Sequence, residues 1–350
     1  MSKLTANLLL LFAAALWGFG NVAQKTVLDH LDALSAVGLR CLIGGLLVLP
    51  FVLTERRTPA DAAHSSSLAR VVVLFAISVM LQQLCYLGAS VTNASFFIST
   101  ATVITPLAAW LLIGEHPTAG LIVAAGSTVI GCLLLSGGVA GFGGGDLTAL
   151  LSAGCYALWT VELGRHMHAH ARPFTAAAAQ FLGAAAIALP LGAVKGNLSS
   201  AAVLEAGPEL VVLGVFSTAI AFSMQIAAQR FTSASHAAVM VSAESAFGAV
   251  GAAIFLGERS SPAGALGAAI ILGSILSVAM SSRTPTASLR TNPGRADSAS
   301  PAGAWPAASR ASSPMQAGKT PSVDLAGGYS RSSHRPKPHR IENDLYRDGG

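Results

Sequence analysis

The sequence predicts an all-α membrane protein, with ten transmembrane helices built as two inverted five-helix repeats and followed by a disordered C-terminal tail. Three observations predict it. Charge is too scarce for a water-facing surface, ten apolar runs have spanning length, and the halves echo each other at a shift of about 140 residues.

Charged residues make up 11% of the chain and hydrophobic ones 53%, where a soluble domain carries roughly a quarter charged residues. Residues 1–280 hold eleven Lys/Arg and eleven Asp/Glu, so the net charge of +5 arises in the last seventy residues. No basic patch is interleaved with aromatics, which argues against nucleic acid as a partner. The four cysteines (Cys41, Cys85, Cys132, Cys155) fall inside apolar runs without C-x-x-C spacing and read as small buried residues.

A helix crossing a hydrocarbon core of roughly 30 Å needs about 20 apolar residues. In order, the runs are Leu4–Ala23, Ala33–Leu53, Leu68–Ser90, Ala94–Gly114, Thr118–Gly137, Leu147–Gly164, Thr175–Val194, Leu210–Gln229, Ala237–Gly257 and Ala263–Met280. Breakers and charges separate them: Glu55-Arg56-Arg57 with Pro59, Glu115-His116-Pro117, Gly143–Asp146, Arg165–Pro173, Lys195–Pro208 and Glu258–Pro262. The first run continues into Trp17-Gly18-Phe19-Gly20-Asn21 without a small-x-small cleavage site, so it reads as a retained helix rather than a signal peptide. With the N-terminus inside, the inner loops carry Lys3, Arg56, Arg57, Arg70, Arg165, Arg172 and Arg230, against Lys25, Lys195 and Arg259 outside. That asymmetry places both termini in the cytoplasm, in a multi-pass protein of the plasma membrane. Residues 281–350 contain eight Pro, twelve Ser and only five Leu/Ile/Val/Phe, too little apolar surface to offset chain entropy.

Residues 4–137 and 147–280 form the two repeats. Trp17-Gly18 falls near Tyr156-Ala157, Arg40 on Gln180, Pro50 on Pro190, Ser78 on Thr218, and Thr92–Ser95 on Thr232–Ser235. Each half ends in a Gly-Glu pair, Gly114-Glu115 and Gly257-Glu258. Five is odd, so the second half enters the membrane inverted, a construction that places a site between the halves near the midplane.

Trp17-Gly18, Arg40, Pro106, Gly114-Glu115, Gly145-Asp146, Glu244, Gly257-Glu258 and Gly264, Gly267 and Gly273 occur in an order that resembles the EamA-like family of the drug/metabolite transporter superfamily. The resemblance covers residues 4–280. Two departures touch its cavity-lining helices: a short Pro106–Glu115 stretch, and Ser245 where a proline often follows the glutamate. It implies a secondary transporter that moves a small metabolite (amino acid, related metabolite or drug) by alternating access, with no cofactor. The implied partners are the substrate and the lipid bilayer, with proton coupling, facilitated diffusion and a homodimer left open.

Polar residues inside the spans mark the candidate substrate-binding or coupling positions: Trp17, Asn21, Arg40, Gln82, Gln83, Tyr86, Tyr156, Trp159, Gln180, Gln225 and Glu244. Serines and threonines such as Ser78, Ser95, Ser99 and Thr102 fit interhelical packing as well as a cavity. Carboxamides have four hydrogen-bonding sites to satisfy, which a wet cavity does readily. Arg40 lies about seven residues from the outer end of its span, roughly 10 Å deep, and either snorkels outward or holds an anionic group. Glu162 reads as interfacial beside Arg165. Glu244 lies too deep for a short side chain to snorkel, so it carries a proton, pairs with a substrate cation, or bonds a neighbouring helix. Arg40 and Glu244 differ in estimated depth by about 10 Å, which opposes direct pairing. The string His166-Met167-His168-Ala169-His170 reads as a positive cytoplasmic loop rather than a metal site, having no Cys, Asp or Glu within it. No phosphate-binding loop is present, which opposes ATP hydrolysis by this chain. A membrane enzyme needs paired catalytic residues such as H-E-x-x-H, which are absent; a channel or a scaffold is the other alternative.

Overall fold

The computed structural model describes residues 1–55, 62–89, 91–137, 142–195, 198–255 and 261–280. The expected tail, 281–350, and the loop charges Arg56, Arg57 and Arg259 lie outside them. Nine described helices are long and apolar enough to span, and Ala119–Leu135 is a shorter apolar helix of 17 residues. Together they account for the ten runs. Exposed leucines and phenylalanines such as Leu4, Leu8, Phe12, Leu46, Leu111 and Leu276 lie on the outside of the bundle, where a bilayer would meet them.

The helix starts follow ordinary capping chemistry. Ser2 caps α1 (Lys3–Thr26) by accepting from the Thr5 amide at 3.1 Å. Asp32 caps α2 (Ala33–Val52) by accepting from Leu34 and Ser35, each at 3.0 Å. Each interaction satisfies an amide that the helix itself leaves free. The third span, α3 (Ala62–Cys85), begins six residues before the expected Leu68, so His64 is helical. The fourth span is divided at Thr100 into α4 (Val91–Ser99) and α5 (Ala101–Ile113), and Gly114 ends it in the left-handed region at φ 66. A glycine adopts that conformation without steric cost.

After α6 (Ala119–Leu135), α7 (Gly144–His170) opens with Asp146 Oδ2 accepting from the Gly143 amide at 2.9 Å. This helix runs six residues past the expected Gly164, so the histidine string is helical rather than a loop. The reversal at Ala171 leads directly into α8 (Pro173–Lys195). Glu55, at the end of the α2 segment, accepts from the amides of Phe174 and Thr175 at 2.7 and 3.0 Å and so caps α8 from another repeat. The expected loop before the eighth span holds a short helix, α9 (Ser200–Glu205). The eighth span combines α10 (Gly207–Val211), a π-helical stretch over Val212–Phe222, and α11 (Ser223–Ala228). The ninth is divided at Ser242 into α12 (Ala234–Val241) and α13 (Ala243–Phe255), and α14 (Pro262–Met280) is the last.

The packing is symmetric under exchange of the repeats. α2 packs on α8, and α6 on α14, each pairing a helix with its own counterpart. α3 packs on α7 as the eighth span packs on α1, and the divided fourth span meets α7 as the divided ninth meets α1. Even the breaks correspond, at Thr100 and Ser242. Small residues permit these contacts: a β-carbon at Gly131 in α6 would lie 2.7 Å from the Gly267 carbonyl oxygen in α14. A membrane offers no hydrophobic drive between helices, so such close approach supplies the dispersion contacts that hold them.

Candidate functional site

Between the repeats lies a cavity of about 800 Å³, including the space at its mouth. α1 contributes Trp17, Asn21 and Gln24, and α2 contributes Arg40. Ser78 and Gln82 come from α3, Ser152 and Tyr156 from α7. The divided spans supply Ser95, Ser99 and Thr102 on one side and Ser242, Glu244 and Ser245 on the other. Helix breaks leave backbone groups outside the regular ladder, and in membranes they are tolerated where the chain lines a cavity or is buried in protein.

One continuous hydrogen-bond chain crosses this site. Arg40 Nη1 donates to Gln24 Oε1 at 3.3 Å, Gln24 Nε2 donates to Asn21 Oδ1 at 2.9 Å, and Asn21 Nδ2 donates to Glu244 Oε1 at 3.0 Å. The depth difference expected between Arg40 and Glu244 is therefore bridged by two carboxamides rather than by tilt. Arg40 is only 2% exposed and bonds Gln24, so its side chain turns inward rather than snorkelling outward. Arg40 makes no ion pair among the described residues, and its Nε and Nη2 are buried without a hydrogen-bond partner. These two groups form one edge of the guanidinium, whose parallel donors match a carboxylate.

The walls are braced by further bonds. Trp17 Nε1 donates to the Ser217 carbonyl at 2.8 Å, tying α1 to the π-helical stretch. Such stretches are rare and recur at functional sites. Tyr156, the counterpart of Trp17, donates from Oη to Gln225 Oε1 at 3.0 Å. Ser152 Oγ donates to the Ser78 carbonyl at 2.9 Å and joins α7 to α3 across the repeats.

Six of the residues singled out from sequence line the cavity: Trp17, Asn21, Arg40, Gln82, Tyr156 and Glu244. The other five stand behind it. Gln83 donates to the Gln24 carbonyl at 2.8 Å, and Gln225 holds Tyr156. Trp159 and Gln180 bond each other at 3.0 Å within the aromatic core around Phe75, Phe181 and Phe222. Tyr86 is buried with Cys85, Ala94 and Phe97. Gln24 was not among the residues singled out from sequence, although it is the central link. Its i, i+3 spacing from Asn21 was the available signal. Ser152, Ser242 and Ser245 were missed because a serine in a membrane helix has packing as its default role.

The sequence profile of the EamA-like transporter family matches residues 4–137 and 143–280. The chain belongs to the EamA-like transporter family. As a member of the drug/metabolite transporter superfamily it is a multi-pass membrane protein with two family repeats, and its partners are the bilayer and a small molecule. A search among curated proteins found no significant match. One solved crystal structure superposes with a TM-score of 0.66 at 18% identity, covering 79% of this chain and 96% of that one. At that identity the likeness shows the fold alone.

Proposed function

We propose that this EamA-like protein is a secondary transporter that moves a small zwitterionic metabolite, of the amino acid class, by alternating access. The observation that carries the proposal is the pairing of opposite charges in one cavity: Arg40 from the first repeat and Glu244 from the second. A carboxylate suits the unpartnered Nε–Nη2 edge of Arg40, and an ammonium suits Glu244, whose Oε1 already accepts from Asn21. The rings of Trp17, Tyr156 and Phe222, which also line the cavity, fit a side chain of modest size. Inverted repeats supply two similar conformations with opposite open sides, because exchanging the conformations of the halves exchanges the access.

Glu244 is also the coupling residue in this reading: it takes up a proton when the substrate ammonium leaves, so cargo and proton share one acceptor. The protein acts in the plasma membrane with both termini inside. Purified protein would be screened by thermal shift against free amino acids, their N-acetyl forms and the corresponding decarboxylated amines. Zwitterions should stabilise, by about 2.7 kcal/mol at a hundredfold excess over Kd. Stabilisation by the amines alone, or by none of the three classes, would overturn the zwitterion assignment. Counterflow of the stabilising compound in proteoliposomes then separates saturable exchange from a channel.

A further inference from the structure

Away from the cavity, the histidines that looked like a loop in the sequence meet a third histidine from another repeat. His166 and His170 lie one turn apart on α7, and His64 enters from the first turn of α3. One ring nitrogen of each lies within 4.8 Å of those of the other two. The His64 and His170 rings meet edge-on with centroids 4.4 Å apart, and His64 and His166 are 5.2 Å apart. His168, off this face, bonds the Gly164 carbonyl at 2.7 Å and takes no part.

We infer that His64, His166 and His170 form a binding site for a divalent transition metal of the zinc class, joining α3 of the first repeat to α7 of the second. Three imidazoles plus an open position are a donor set typical of Zn²⁺ and its neighbours in the first row. Tetrahedral geometry with metal–nitrogen bonds of roughly 2.0–2.1 Å sets the nitrogens about 3.4 Å apart, inside the 4.8 Å within which they already lie. The surroundings fix one ligand in its metal-binding form. Glu162 is held by Arg70 at 2.6 Å and Arg165 at 3.1 Å and acts only as an acceptor. Ser67 Oγ donates to Glu162 Oε1 at 3.4 Å and is 3.2 Å from His166 Nδ1. With its proton committed to the carboxylate, Ser67 accepts from His166 Nδ1–H. The lone pair is then on Nε2, which is buried without a hydrogen-bond partner. A ligating histidine tied through its other nitrogen toward a carboxylate is the usual outer-shell arrangement.

An occupied site would tie the two repeats at one end of the bundle and slow exchange; that consequence rests on the alternating-access reading, whereas binding itself does not. The test is titration of full-length protein, purified without a polyhistidine tag, with Co²⁺ and then Zn²⁺. One Co²⁺ per chain should bind with the visible absorption of a four-coordinate complex, and Zn²⁺ should displace it. His64→Gln or His170→Gln should weaken Zn²⁺ binding by more than about 100-fold, and Ser67→Ala by about 10- to 100-fold. His168→Gln should leave it unchanged. His170→Gln, at the partly exposed end of α7, is the variant least disruptive to folding, and each variant is checked for monodisperse elution. Absence of stoichiometric binding in the wild type, or binding that survives His170→Gln in folded protein, would overturn the site.

Discussion

Glu244 and Arg40 sit at opposite ends of one hydrogen-bond chain, so each can be tested while the rest of the chain is kept. Glu244→Gln keeps the shape and leaves Asn21 an amide oxygen to donate to, but it cannot titrate. The variant should insert normally, lose gradient-driven accumulation, and exchange substrate with little dependence on pH. Near-normal accumulation at matched expression would show that no essential charge resides there. Arg40→Lys retains the positive charge but loses the parallel donors. Binding of a zwitterion should weaken about 10- to 100-fold, the equivalent of one charged hydrogen bond of roughly 1.5–3 kcal/mol. An unchanged Kd by calorimetry would mean that the Nε–Nη2 edge never meets the substrate. What the sequence made legible at this scale was depth: a carboxylate and a guanidinium far inside apolar runs rarely lack a purpose. It could not show that Gln24 and Asn21 link them. Two carboxamides in one helix pattern equally well as packing, and which partner each faces depends on neighbours 16 and 223 residues away.

Among the elements, the spans themselves were readable because each must bury about 20 apolar residues. Their irregularities were not. Thr100 and Ser242 interrupt their helices without a proline at either position, and the π-helical stretch has an unremarkable sequence. The π-helical stretch is instead marked by a tertiary contact, the Trp17 indole donating to the Ser217 carbonyl. The ends of α3 and α7 were misplaced for a related reason. Polar residues such as His64, Ser67 and His166 read as loop by composition, yet they remain helical by pairing with one another across the two helices. The α8 cap makes the same kind of contact measurable. Glu55 satisfies two free amides of α8 and accepts the Thr175 hydroxyl at 2.6 Å. Glu55→Ala should lower stability by about 1–2 kcal/mol, as loss of a helix cap does, read as a lower midpoint in thermal or denaturant unfolding. Glu55→Asp should recover part of it, and an unchanged midpoint for Ala would show that water replaces the cap.

For the whole molecule, the inverted repeat was legible because its punctuation, Gly-Glu pairs and prolines at matching offsets, survives where apolar residues interchange freely. The packing symmetry of α2 with α8 and of α6 with α14 is its three-dimensional counterpart. The tail carries the whole net charge yet lies outside both family-matched segments. Truncation after Met280 should therefore leave transport per molecule unchanged, and its loss at equal membrane abundance would assign the tail a role in the cycle. Orientation rests on loop charge, and two exposed positions decide it. Thr54 follows the second span and Ser200 the seventh, so in a ten-span protein they emerge on opposite sides. The experiment needs a background in which the native cysteines are replaced; Cys41, Cys85 and Cys132 are buried and Cys155 is partly so. With both termini inside, Ser200→Cys should react with an impermeant maleimide in intact cells, and Thr54→Cys only after permeabilisation. The opposite pattern would leave the repeats intact but reverse the protein, turning the basic loops outward against the usual charge rule. Equal labelling of both positions in intact cells would be incompatible with five spans lying between them.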